Sequence, residues 1–219
     1  IYEKARSLYE NLSQDLNYNV MFSPRGVMML AQTHHEIRGY QRTAHANALQ
    51  GVTTEFIGPQ KVKELCPIIN VEGPRYPVLG ALWQPRGGTA RHDAVAWGYA
   101  RACSDMGIDI IQQCEVKAVR QKDGKVLGVD TTKGAIDCDK LGLIVAGHSG
   151  VLADMAGFRL PVESVALQAL VSEPIKPCMD VVVMANTVHG YMSQSDKGEM
   201  VIGGGADGVG SARIDAWQR

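Results

Sequence analysis

RHDAVAWGYARACSDMGIDIIQQCEV, residues Arg91 to Val116, and LGLIVAG, residues Leu141 to Gly147, decide how this chain is read. Asp93 has the side chain of a helix N-cap, whose carboxylate accepts from the free N–H groups of a first turn. Val95, Tyr99, Ala102, Cys103 and Met106 follow at helical spacing, and Gly107 is the left-handed residue that ends such a helix. Ile108, Ile110 and Ile111 open a strand expected to end near Val116. Short strands are expected around Val119, from Val126 to Thr131 and from Ala135 to Cys138, with Asp123-Gly124 as a hairpin turn. Leu141 to Gly147 has the unbroken apolar character of a fully buried strand.

Upstream, Ile1 to Leu16 predicts an amphipathic helix with Ala5, Leu8, Leu12 and Leu16 on one face, broken at Asn17-Tyr18-Asn19. Asn19 to Phe22 and Gly26 to Ala31 read as two short strands around the turn Ser23-Pro24-Arg25-Gly26. Thr33 caps a helix to about Gln50, with Ile37 and Leu49 among its apolar positions, and Gly58-Pro59 opens a short helix to Leu65. Val78 to Trp83 is a strand that runs into Pro85-Arg86-Gly87-Gly88-Thr89-Ala90, whose small residues leave room for a planar ring beside the backbone. Downstream, Val151 to Ala156 is a helix, for which Ser149 is either an N-cap or a cofactor contact. Gln168 to Glu173, Val181 to Met184, His189 to Gln194 and Glu199 to Ile202 are strands, the last two joined by Lys197-Gly198.

The 219 residues suffice for one substantial domain, and 45% hydrophobic residues suit a packed core. A net charge of −1 gives no field for nucleic acid or anionic lipid. No run approaches the roughly 20 apolar residues of a membrane helix. Five cysteines, Cys66, Cys103, Cys114, Cys138 and Cys178, are widely spaced, without CxxC or Cys/His ligand spacing. Neither a disulfide framework nor a metal site is expected, and the composition suits a reduced cytoplasmic setting. His34, His35 and His45 are expected at the surface; the first two are sequence neighbours and point to different sides of a helix.

The order helix, strand ending in Glu115-Val116, meander, strand ending in Ala146-Gly147 resembles the middle of the flavin domain in D-amino-acid-oxidase-like FAD-dependent oxidoreductases. Trp83 to Asp93 (WQPRGGTARHD), with NYNVMFSPRGV, RYPVLGA, GVLADMAGFRLPVES, LQALVSEP and SQSDKGEMVIG, resembles the beta subunits of heterotetrameric sarcosine oxidases. The fold so implied is mixed α/β: an incomplete FAD/NAD(P)-binding-like domain of glutathione-reductase type with an antiparallel substrate-domain sheet. Residues 1–90 would supply substrate-domain strands and helices, 91–157 the middle of the FAD-binding domain, and 158–219 the truncated substrate-domain sheet.

The same resemblance implies FAD as hydride acceptor from sarcosine, giving glycine, and a covalently held FMN that passes electrons to oxygen. The methylene product would be hydrolysed or taken by tetrahydrofolate, and the partners would be alpha, gamma and delta subunits. Carried over residue by residue, His92 would bear the covalent FMN, with Arg91 in its surroundings, and Val116 and Gly147 would meet FAD. Catalytic residues are not assigned. An imidazole nitrogen is a competent nucleophile toward the 8α carbon of an oxidised flavin. Three departures stand out: Arg91 where the family often has Lys, Val165 where it usually has His, and Met200-Val201-Ile202 without the oxygen-activating Lys of monomeric relatives.

The strand–GxGxxG–helix opening of a dinucleotide fold is absent, and Gly203–Gly205 have no helical pattern behind them. The resemblance therefore implies an internal fragment, inactive alone. Two alternatives stay open: another FAD-dependent amine or amino-acid oxidase without covalent FMN, and a catalytically inert assembly fragment.

Overall fold

Strand β1 (Val27–Ala31) is buried on both faces because its side chains alternate between two cores. Met28 and Leu30 point into a core with Val62 and Cys66, while Met29 and Ala31 face Tyr40 and Ala44. A computed structural model describes residues 2–207 of the chain. Among the described residues the chain divides into two units, one of residues 2–108 with 168–205 and the other of residues 109–167.

The first unit opens with α1 (Tyr2–Asp15) and then β1. Next come α2 (His34–Leu49), β2 (Glu55–Ile57), α3 (Pro59–Leu65), β3 (Gly80–Gln84) and α4 (His92–Asp105). In the second unit β4 (Val116–Lys122), β5 (Lys125–Thr131), β6 (Gly134–Asp137) and α5 (Ser149–Met155) follow. The chain closes with β7 (Ala166–Pro174), β8 (Val182–Ala185), β9 (Gly190–Gln194) and β10 (Glu199–Asp207).

Seven strands form one sheet in the order β2-β3-β1-β8-β9-β10-β7. β1 runs antiparallel to β3 and parallel to β8, with Met28 opposite Trp83 and Val183; the β8–β9 and β9–β10 pairs are antiparallel. α2 starts where the sequence says it does. Thr33 accepts from Glu36 N–H while Glu36 accepts from Thr33 N–H, a full capping box. Glu36 also accepts from the Thr187 hydroxyl at 2.8 Å, which ties α2 to the turn after β8. β7 ends the sheet order, and Gln168 to Pro174 are exposed along it, Leu170 and Val171 included.

In the second unit, Asp123 and Gly124 take φ of 53° and 74° between β4 and β5, the left-handed pair that a tight hairpin needs. Arg120 lies 3.1 Å from Asp130 and 2.6 Å from Asp137, bracing β4 across β5 and β6. Val129 and Ala153 are buried here.

Several expectations are corrected. Asn19 to Phe22 is not a strand, because Met21 sits at φ 53° and interrupts the pairing; Ser23 alone bridges to Thr89. The expected strands at Ile108 to Val116 and Leu141 to Gly147 are not formed, save that Val116 begins β4. A strand exists only by pairing, and no neighbour pairs with either stretch among the described residues. Ile144 is 90% exposed. Leu49 is 87% exposed, so Ile37, Tyr40 and Ala44 form the packed face of α2. The three-residue strand β2 had no sequence signal of its own. The GGG run enters β10, and Gly208, which follows it, lies outside the described residues with the rest of 208–219.

Candidate functional site

His92 is the first residue of α4, and Arg91 is its N-cap. Asp93, expected to cap from outside, lies within the first turn; its carboxylate accepts from Ala94 N–H at 2.8 Å. The helix buries Ala94 and Gly98; of Val95, Tyr99, Ala102, Cys103 and Met106, which recur at helical spacing, Val95, Ala102 and Cys103 are half-buried while Tyr99 and Met106 are exposed. Gly98 abuts Leu16 and Tyr18, which explains why the small side of α4 faces inward. At the other end, Gly107 takes φ 82°, as a helix stop should. His92 is exposed, and its imidazole makes no hydrogen bond among the described residues.

Arg91 grips Asp93 through two parallel bonds, Nε to Oδ1 at 3.1 Å and Nη2 to Oδ2 at 2.5 Å. The bond to Arg91 holds the Asp93 carboxyl below its ordinary range, and the same bond raises the Arg91 guanidinium, with Glu199 and Tyr18 adding to it from further off. The positive charge beside His92 is thus matched by a carboxylate in the same turn.

The loop before His92 is held by four backbone bonds to residues 20–26. Ser23 N–H donates to Thr89 O at 2.8 Å and Thr89 N–H to Ser23 O at 3.0 Å. Gly26 N–H donates to Gly87 O at 2.7 Å, and Arg91 N–H to Val20 O at 3.3 Å. The glycines are spent on this contact and not on space for a ring. A Cβ on Gly88 would lie 2.0 Å from Ser23 O. A cleft of about 250 Å³ flanks the loop, lined by Tyr9, Phe22, Arg6 and Arg86; both arginines pair with Glu3 and Glu10.

Val116 and Gly147 belong to the other unit. Val116 is half-buried at the start of β4, opposite Thr131, and the register shifts between Val116 and Ala118, a bulge that re-aims the strand end. Gly147 lies in a single tight turn, Ala146–His148, and accepts from the Ser164 hydroxyl at 2.6 Å. Ala146 is held at φ 45°. A Cβ on Gly147 would meet nothing within 4 Å, and its φ is not left-handed. Nothing in the described chain requires glycine there. Ser149 is the first helical residue of α5, not its cap; its hydroxyl donates to Ala146 O at 2.7 Å.

Sequence reasoning missed Arg25 and Gln194, which hold the loop's neighbourhood together across 169 residues. No motif marks such a pair. His34, His35 and His45 are exposed, as expected. Among the described residues no group of three or more His, Cys, Asp or Glu is placed to hold a metal ion, and no helix is long and apolar enough to cross a membrane.

A family model described as FAD dependent oxidoreductase matches residues 1–218. The chain is 74% identical over 208 residues to the sarcosine oxidase subunit beta of Rhodobacter capsulatus, covering 95% of this chain and 50% of that one. It is 51% identical over 208 residues to the sarcosine oxidase subunit beta of an Arthrobacter species, covering 94% and 51%. It thus spans about half the length of these curated relatives. Among solved structures, the L-proline dehydrogenase of P. horikoshii superposes with a TM-score of 0.84 at 24% identity, over 94% of this chain and 55% of that one, a likeness of fold.

Proposed function

Because the chain belongs to the family of FAD dependent oxidoreductases, we propose that it is part of the beta subunit of a heterotetrameric sarcosine oxidase. The 74% identity to the R. capsulatus subunit across 95% of the chain carries this reading. The enzyme's reaction is oxidative demethylation of sarcosine, a secondary amine, to glycine, with alpha, gamma and delta subunits as partners and tetrahydrofolate and oxygen as acceptors. FAD supplies the two-electron acceptor and covalent FMN the outlet to oxygen; the protein supplies placement and electrostatics.

In this chain, His92 would hold FMN through an imidazole nitrogen. Its exposure at the head of α4 supports the assignment, since the ring is open to a ligand. Arg91 keeps the first turn of α4 ordered through Asp93, so that the pair adds little net charge next to the flavin. The Ala146–His148 turn would hold the dinucleotide of FAD at Gly147, where the chain leaves room for close approach, and Val116 would offer its backbone to the adenine. The five free cysteines suit a reducing cytoplasm.

The test is acid precipitation of the full-length protein with its partner subunits, followed by mass spectrometry of the peptide containing His92. The proposal expects an FMN adduct on that peptide and sarcosine-dependent oxygen uptake. Complete release of flavin into the supernatant would assign the chain to an amine or amino-acid oxidase without covalent FMN.

A further inference from the structure

Arg25 stands at the apex of the Ser23–Gly26 turn, on which the loop leading to His92 hangs by its backbone bonds. Its guanidinium has three partners. Nε donates to Ser23 Oγ at 2.8 Å, Nη1 donates to the main-chain carbonyl of Gln194 at 2.7 Å, and Nη2 pairs with Asp196. The anchor at the far end is itself fixed. Gln194 is 4% exposed; its Oε1 accepts from Cys178 N–H at 2.8 Å and Met179 N–H at 3.1 Å. Its amide donates to Lys176 O at 3.1 Å and Gly198 O at 3.0 Å. A planar, permanently charged fork is suited to joining three separated acceptors, which a lysine's single ammonium does less well.

We infer that Arg25 is a positioning residue for His92. It locks the Ser23–Gly26 turn to the end of β9, and the turn in turn sets the register of Gly87 to Arg91 and the height at which His92 leaves it. This rests on His92 being the flavin-bearing residue. Attachment forms one bond between the imidazole nitrogen and the flavin 8α carbon. The imidazole N–H proton and one 8α hydrogen are given up, the flavin is left reduced by two electrons, and dioxygen reoxidises it to yield hydrogen peroxide. Such a step depends on near-attack geometry, and a displacement of about 1 Å costs on the order of 100-fold in rate.

The experiment uses the full-length chain co-expressed with its partner subunits, as wild type, Arg25→Ala and Arg25→Lys. The covalent FMN on the His92 peptide, its rate of formation after FMN is added to flavin-free protein produced under riboflavin limitation, and FAD per chain are measured. Hydrogen exchange at Gly26 and Thr89 is followed in parallel. Arg25→Ala is expected to slow adduct formation at least about ten-fold and to speed exchange at both amides, with FAD content unchanged. Arg25→Lys is expected to fall between the two, and it answers the question should the alanine variant fail to fold. Wild-type adduct rate and exchange in the folded variants overturn the positioning role while leaving His92 as the attachment site. A wild-type protein with no adduct overturns the reading of His92 and the role of Arg25 together.

Discussion

The Arg91 guanidinium meets both oxygens of Asp93 in the first turn of α4, so the residues on either side of His92 are bonded to each other. The pairing lowers the Asp93 carboxyl in the folded state, so its contribution is present above the unfolded carboxylate value of about 3.9 and fades as pH falls through the lower folded value. Asp93→Asn should lower the melting temperature slightly at pH 7 and leave it equal to wild type near pH 2. A difference that persists at the acid end would mean that the pair is not its cause.

Two glycines should respond oppositely to alanine. Gly88→Ala drives a methyl toward Ser23 O, and overpacking of this kind costs about 1–3 kcal/mol. Gly147→Ala meets open space and should change stability by less than about 0.5 kcal/mol. In the full-length protein the second variant should nonetheless lose FAD affinity. Urea unfolding and FAD titration separate the effects, and unaltered FAD binding in Gly147→Ala would remove Gly147 from the cofactor site.

Gln194→Leu leaves the N–H groups of Cys178 and Met179 without their acceptor. Leaving buried donors unpaired costs about 1–3 kcal/mol each, so a loss of at least about 2 kcal/mol is expected in urea unfolding. A loss below about 0.5 kcal/mol would show that the loop finds other partners.

Cys66 lies in the core with Met28 and Val62, and burial raises its thiol above the ordinary cysteine range. Alkylation of the native protein at pH 8 should label Cys66 last of the five cysteines, with labelling appearing in parallel with unfolding. Early modification of Cys66, read by peptide mass, would contradict the packing of α3 against the sheet.

Local chemistry was legible where it was self-contained. Thr33 and Glu36 announce the start of α2, and Asp123-Gly124 announces the β4–β5 turn, because the residues that satisfy each backbone group are a few positions away. Strands depend on partners. Ile108 to Ile111 and Leu141 to Gly147 have the composition of buried strands, yet composition cannot supply a neighbour. Asn19 to Phe22 failed for another reason: Asn19 Oδ1 accepts from Met21 N–H at 2.9 Å, a local bond that competes with pairing and turns the backbone left-handed. His92 stood out through resemblance alone, since an exposed histidine at a helix start is ordinary. Arg25 and Gln194 were silent because their meaning lies in one another.

The sheet's two margins differ in a way that governs handling. At one end β2 is three residues long, too short to template another chain. At the other, β7 offers nine residues, with Leu170 and Val171 facing water. A preparation of these 219 residues should self-associate along the β7 margin as concentration rises, which light scattering over a dilution series would detect.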